Sequence, residues 1–327
     1  MGDVARREER DGRRELVAAE AGRIDAVLAA ALPEMSRARL QRLIAEGHVL
    51  VNGEPVRKSV RVVSGDHLSV SVPPVENLAA PVDFELPVLF EDEALVAIDK
   101  PAGLPVHGAP GEQGPTVAAW FAARHGLDAT RFDADYPGVV HRLDKDTTGV
   151  LLLAKTPGAQ AALSAAFEQR TAKKTYLAVC EGKPARDRAI VDAPISRHPG
   201  DRTRMAVTRA GRAARTEYEV LASDRDRSFL LVRPETGRTH QIRVHLAAIG
   251  APVTFDRVYG APGAGRQMLH AWRLSVPHPA GGQLTVTAPM PGDMLAVVRA
   301  IGGDSIALPY TVNLPAKLES EVVNRES

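Results

Sequence analysis

Apolar residues in this chain fall into short runs, and their spacing predicts two differently built regions. Ile24, Val27, Leu28 and Ala31 recur at helical spacing after Arg23, and a second helix is expected over Arg37–Ala45, with Ser36 as N-cap and an end toward Gly47. Val49 and Val51, the dipeptide Asn52-Gly53 and the stretch 60–68 then predict short strands with a tight turn. Residues 72–81 are proline-rich, show neither period and read as a linker. Beyond them, strand-like runs recur at 95–98, 138–141, 150–155, 174–180, 214–222 and 228–233, with helices expected at 116–125, 158–169 and 239–249. The last two strand runs are separated only by a polar stretch, which favours a hairpin and a mixed or antiparallel sheet. The patterns fade after Ile301.

A length of 327 residues exceeds the usual size of one domain, and 44% apolar content is enough for a core. No apolar run approaches a membrane span. Residues 1–20 carry Arg6-Arg7-Glu8-Glu9-Arg10 and Arg13-Arg14 without a hydrophobic segment, so they are expected to be a flexible charged arm, not a secretory signal. The single cysteine, Cys180, excludes an intramolecular disulfide and any cysteine-based metal cluster, and a cytoplasmic protein fits. Net charge is only +1, but between Arg170 and His245 there are 17 Lys and Arg against nine Asp and Glu. A solvated surface accounts for many such stretches; a polyanionic partner is the alternative.

The densest chemistry lies at 139–155, where two apolar runs flank His141-Arg142-Leu143-Asp144-Lys145-Asp146-Thr147-Thr148-Gly149. Carboxylates between buried strands need partners. Turn chemistry is the plainer explanation, since Asp and Thr satisfy local backbone groups and Gly permits a bend. Calcium is excluded: Asp144, Asp146, Thr148 and Gly149 match a calcium loop, but Lys155 stands where its bidentate Glu must be.

His141-Arg142-Leu143-Asp144 with Thr147-Thr148-Gly149 resembles the active-site signature of the RluA/RluD-type pseudouridine synthases. Lys173-Lys174-Thr175-Tyr176-Leu177, the block from Glu235 to His245, and Leu269-His270-Ala271 with His278-Pro279 resemble the same family in the same order. Pro194-Ile195-Ser196-Arg197-His198-Pro199 and Met205-Ala206-Val207 are most similar to the branch acting on large-subunit ribosomal RNA. Upstream, Arg23-Ile24-Asp25, Ser36-Arg37, Leu43-Ile44, Gly47, Val49 to Gly53, Lys58 and Gly65-Asp66 resemble the small RNA-binding domain named after ribosomal protein S4.

The resemblance implies an α+β protein with a central, mixed and mostly antiparallel sheet flanked by helices. The expected layout is a charged arm over 1–20, an S4-like domain over 21–72, a linker over 73–83, a catalytic domain over 84–311 and a flexible tail over 312–327. It implies an isomerase that breaks the uridine N1–C1′ bond, turns the uracil and rejoins it through C5, with Asp144 as the catalytic carboxylate. Arg243 matches the basic residue paired with that aspartate, and Tyr176 the tyrosine that lies against the base. Arg142 matches a side chain that fills the space left by an extruded uridine, and Leu269 an apolar position beside the base. Arg37, Arg39, Arg42 and Lys58 match the basic groups an S4 domain offers to structured RNA. No cofactor or metal is required, the partner is RNA of the large ribosomal subunit or its precursor particle, and a monomer is expected.

His240 and His245 lack an obvious third ligand for zinc, and His141 reads as a structural hydrogen-bonding group. One departure from the family is Phe255 before Asp256, where a glycine is usual, which puts the conformation of that loop in question. The main rival is a non-catalytic RNA-binding or ribosome-assembly factor, and retention of Asp144, Tyr176 and Arg243 argues against it. A glycoside hydrolase is weaker, because it would use a second carboxylate, for which Asp146 is the candidate.

Overall fold

The hydrophobic runs pair into separate sheets in two units, one comprising residues 1–81 with 121–138 and the other residues 82–120 with 139–327. The computed structural model describes residues 8–10, 13–32, 35, 37–57, 59–72, 84–108, 114–127, 138–201, 203–260, 263–312 and 315–319. Ser36, Lys58 and the linker expected over 73–83 therefore lie outside the described residues.

The first unit contains β1 (Glu8–Arg10), β2 (Arg13–Val17), β3 (Gly22–Arg23), α1 (Ile24–Ala31), α2 (Arg37–Ala45), β4 (Val49–Val51), β5 (Glu54–Pro55), β6 (Arg61–Val62) and β7 (His67–Ser71). Both helices start and end close to where the apolar period places them. The five-stranded sheet runs β1-β2-β7-β4-β5, and β3 pairs with β6. The β4–β5 turn uses Asn52 at φ 50° and Gly53 at φ 87°, the left-handed pair that lets a two-residue loop follow strand twist. Ile24, Leu28, Leu40, Ile44, Val49, Leu68 and Val70 form the core.

The charged arm needs correction. Residues 13–17 form an antiparallel strand on β7, with Leu16 buried in the same core. A strand reading Arg-Arg-Glu-Leu-Val offers one strongly apolar inward position, too little for a periodic signal.

Asp25, fully buried at the start of α1, fastens α2 to α1. Its carboxylate accepts from Arg23 (3.1 Å), Arg37 Nε (3.0 Å) and Gln41 Nε2 (2.6 Å). Burial pushes its pKa up, but the hydrogen bonds from Gln41, Arg23 and Arg37 outweigh this and hold it at about 2.

The second unit contains β8 (Val88–Glu91), β9 (Leu95–Lys100), α3 (Val117–His125, which runs across the boundary between the units), β10 (Thr148–Ala154), α4 (Pro157–Glu168), β11 (Lys173–Glu181), β12 (Arg188–Asp192), β13 (Ile195–Arg197), β14 (Met205–Val207), β15 (Arg215–Ser223), β16 (Arg227–Pro234), α5 (Gln241–Ala248), β17 (Leu269–Pro277), β18 (Gln283–Thr287), α6 (Gly292–Ala307, broken at Gly303) and β19 (Lys317–Glu319). Eight strands follow the order β12-β15-β16-β11-β17-β10-β9-β8, with β18 also on β17 and β19 on β18. Among the described pairings of this sheet, β10–β17 alone is parallel, so the sheet is mixed and mostly antiparallel. The β15–β16 hairpin forms as the polar gap predicts. The run at 138–141 does not become a strand, making only a bridge from Val139 to Leu153. The expected flexible tail is also corrected, because Lys317–Glu319 extends the sheet along β18. Polar residues on an edge strand left no apolar pattern to read.

One core packs α5 and α6 against β11, β15 and β16, and another gathers β9, β10, β18 and α4. All seven residues of β10 are buried, which explains its uninterrupted apolar sequence.

Because Asp25 titrates lower folded than unfolded, its contribution to stability is complete above about pH 4 and fades as pH falls toward 2. Asp25→Asn should reduce hydrogen-exchange protection of α1 and α2 at pH 7 and flatten its decline between pH 4 and 2. Unchanged protection would show that the helix pair does not depend on this carboxylate.

Candidate active site

Asp144 lies in the loop that leads into β10, and three features fix that loop. The Thr147 amide donates to the Asp144 carbonyl at 3.1 Å, closing a turn. Gly149 has φ 111°, and a Cβ there would lie 2.3 Å from the Ala271 carbonyl oxygen, so only glycine lets β10 run this close to β17. Lys100, fully buried at the end of β9, donates from Nζ to the carbonyls of Pro101 (2.7 Å), Leu104 (2.7 Å) and Lys145 (2.9 Å). All three of its protons are spent on backbone, one of them within the Asp144 loop. Burial lowers its pKa to about 8, against the opposing pull of Asp146 and Asp144. The apolar pattern did not single out Lys100; a lysine directly following a buried apolar run was the available signal.

Arg243, in the first turn of α5, is 6% exposed and joins two carboxylates. Its Nη1 donates to Asp144 Oδ2 at 2.8 Å, while Nε and Nη2 grip Asp256 at 2.6 and 2.9 Å. Asp256 is fully buried and also accepts from the amides of Val258 and Tyr259. Burial would raise its pKa, but Arg243 and those amides prevail and hold it below the ordinary carboxylate range. The sequence reading noted Asp256 without giving it this role. The residue before it, Phe255, adopts φ 61°, so the left-handed conformation favoured by glycine persists without one.

Gln241 locks the start of α5. Its amide donates to the Arg215 carbonyl and Thr216 Oγ1, while its oxygen accepts from Thr236 Oγ1 (2.6 Å) and the Arg238 amide (3.0 Å). His245 bonds Thr216 and the Ala193 carbonyl, so both ring nitrogens are occupied in the core. His141 accepts from the Leu152 amide and stacks on Phe167, as a structural histidine should. Among the described residues, no three His, Cys, Asp or Glu side chains gather as a metal site.

Tyr176 occupies the irregularity between Thr175 and Leu177 where β11 pairs with β17. A bulge re-aims a side chain, and here Tyr176 lines a cleft of about 490 Å³ with Asp144, Arg142, Arg243 and Leu269. Burial, reinforced by the Asp144 charge, raises the Tyr176 pKa and keeps the phenol neutral. The cleft wall carries Arg142, Arg170, Lys174, Arg212, Arg238 and Arg243 against the carboxylates of Asp144 and Glu168. Such an excess suits a phosphodiester backbone. Arg142 is exposed and donates to His107 Nε2 at 3.1 Å. The five residues expected to surround a uridine therefore share one cleft. Asp146 is exposed and does not line it.

The basic residues expected to meet RNA from the first unit fare differently. Arg37 is half-exposed but committed to Asp25, and Arg42 is part-buried. Arg39 is buried at 7% exposure, so helical spacing near Arg42 does not present it to solvent. Lys58 is outside the described residues.

The profile described as RNA pseudouridylate synthase matches residues 94–248, and that of the S4 domain matches residues 22–68. Ribosomal large subunit pseudouridine synthase D of Nitrosomonas europaea is 42% identical over 85% of this chain and 84% of its own length. The protein of the same name from Xanthomonas campestris pv. campestris is 41% identical over 86% of this chain and 90% of its own. The solved structure of human RNA pseudouridylate synthase domain containing 4 covers 65% of this chain and 92% of its own, with TM-score 0.53 and 27% identity. The chain belongs to the RNA pseudouridylate synthase family and carries an S4 domain. It is an RNA pseudouridine synthase, an isomerase. No helix among the described residues is long and apolar enough to cross a membrane.

Lys100→Met should destabilise the second unit by about 3 kcal/mol, since each buried acceptor left unmade costs about 1–3 kcal/mol. It should also slow single turnover by loosening the Asp144 loop. Denaturant unfolding and a rapid-quench assay measure both, and wild-type values in each would show that the carbonyls find other donors.

Proposed function

We propose that the chain isomerises uridine to pseudouridine in large-subunit ribosomal RNA, with Asp144 as the reacting carboxylate. The observation that carries this reading is the Asp144–Arg243 pair, facing a cation-rich cleft beside Tyr176. The reaction moves the glycosidic bond from N1 to C5, removes the C5 proton and supplies one to N1. It consumes no water and transfers no electrons to an external acceptor.

Asp144 supplies an anion to the anomeric carbon or the base, and Arg243 holds it by an ion pair and a hydrogen bond. Tyr176 and Leu269 give the uracil an apolar wall and a neutral phenol. Arg142, exposed and hydrogen-bonded to His107, stands at the cleft to occupy the gap an extruded uridine leaves. The names of the relatives above support large-subunit ribosomal RNA as the substrate. In the first unit, Arg42 and the exposed Arg57 remain candidates for phosphate contacts. Asp146, the second carboxylate a hydrolase reading would use, is exposed and does not line the cleft.

Asp144→Asn should abolish pseudouridine formation while RNA affinity stays within a few-fold. Turnover by the folded variant would sink the assignment. Arg243→Met leaves Asp256 buried without its cation, so it should cost about 3–5 kcal/mol in stability as well as activity. Arg243→Lys retains charge but not the fork that joins two carboxylates, and should fold yet turn over far more slowly. A Lys variant of wild-type rate would mean that charge alone suffices.

Removing residues 1–75 should weaken RNA binding more than the single-turnover rate at saturation. It should also make the dependence of log affinity on log salt shallower, because phosphate contacts are lost. An unchanged salt slope would show that the first unit is not the RNA anchor.

A further inference from the structure

His240 has no part in the reading above, yet its geometry is unusual. It precedes α5 with φ 56°, a left-handed conformation that costs a non-glycine residue about 1–2 kcal/mol. Strain of this kind clusters where the surrounding structure demands a particular side-chain placement. The imidazole lines the same cleft, with Nε2 4.0 Å from Asp144 Oδ1, the oxygen Arg243 does not hold.

The groups around His240 favour one placement of the ring proton. The Met205 amide donates to the Tyr259 hydroxyl oxygen at 2.8 Å, and the same hydroxyl lies 2.8 Å from His240 Nδ1. With the Tyr259 hydroxyl donating to Nδ1, the proton of a neutral imidazole lies on Nε2, facing Asp144. The reverse arrangement would point a lone pair at a carboxylate. Burial lowers the His240 pKa despite the opposing Asp144 charge, consistent with a neutral ring at pH 7. The Tyr259 ring is itself fixed, with the Arg243 guanidinium 5.1 Å and the Arg204 guanidinium 5.5 Å from its centroid.

We propose that His240 is a positioning residue for Asp144, its Nε2–H orienting Oδ1 toward the substrate, and that Tyr259 fixes the tautomer and plane of the ring. The idea rests on Asp144 being the reacting carboxylate. Oδ2 is anchored by a charged donor, whereas Oδ1 faces a weaker, neutral donor beyond hydrogen-bond distance. Oδ1 is therefore the oxygen free to react, with His240 Nε2 4.0 Å from it. Met205 lies in β14, so the β13–β14 hairpin is tied to the Tyr259 hydroxyl.

The test is a set of single-turnover measurements at saturating RNA, with RNA affinity and thermal unfolding recorded for each full-length variant. His240→Phe keeps the ring but loses both nitrogens, and should slow the chemical step about 10- to 100-fold, the scale of a small misplacement of a reacting group. Affinity should stay within twofold. His240→Gln, which can present an N–H from nearly the same place, should recover much of the rate. Tyr259→Phe should also slow the step, and the double Phe variant should be no slower than His240→Phe alone, because both act through one contact. A His240→Phe rate within twofold of wild type overturns the proposal. So does a Gln variant as slow as Phe, or additive losses in the double variant, either of which marks a merely structural residue. If Asp144→Asn, run in parallel, retains turnover, the underlying assignment fails; if it is inactive while His240→Phe is not, only this inference fails.

Discussion

Arg243 is buried between two carboxylates, and the geometry of the cleft follows from how it is shared. Two of its donors grip Asp256, which is fully buried, and a third reaches Asp144, whose side chain is 22% exposed. Asp256 thus fixes the guanidinium plane, leaving Nη1 pointing at Asp144. A buried pair of this kind gains little stability over apolar packing, since desolvation offsets the attraction. What it supplies is direction: the cation cannot swing to meet a phosphate and abandon Asp144. The partly solvated carboxylate, Asp144, is the one that faces the cleft.

The sheet makes that arrangement possible by branching at β17. Its first residues pair in parallel with β10, and its later residues pair with β18. Asp144 precedes β10 and Leu269 opens β17, while Tyr176 comes from the bulge where β11 meets β17. Gly149 is the steric condition for the short parallel contact. Thr148 and His270, paired there, bond each other at 2.9 Å, and His270 Nε2 reaches the Ala288 carbonyl. Burial lowers the His270 pKa to about 4, so the junction stays neutral and dry beneath a charged cleft.

Much of this was legible in the residues, and the failures have physical causes. α1 and α2 bury one face, so their period survives in sequence; the β15–β16 hairpin is two apolar runs with a polar gap. Short strands such as β2 and β19 gain stability from backbone pairing, which leaves little trace in side chains. The motif residues Asp144, Tyr176 and Arg243 do meet in one cleft. Lys100 escaped notice because its role is to donate to carbonyls that no sequence pattern reveals. Arg39 shows the converse, since spacing on a helix assigns a face but not the exposure of that face.

Phe255 shows how far one substitution can be absorbed. Its backbone is left-handed, and the following residue is the carboxylate that fixes Arg243. Glycine there would relieve the backbone but forfeit a ring that packs against the second unit's core, with the Arg227 guanidinium 5.7 Å from its centroid. The ring fits because Gly263 and Gly265 flank it: a Cβ on either would come within 2.1 or 2.6 Å of its carbons. The need for glycine has thus moved from 255 to the two positions that embrace the ring. Burying an aromatic side chain contributes roughly 1.5–3 kcal/mol, partial here, which is comparable to the local strain of about 1–2 kcal/mol. Loop conformation, and with it the aim of Asp256, is retained through packing where the family uses backbone freedom.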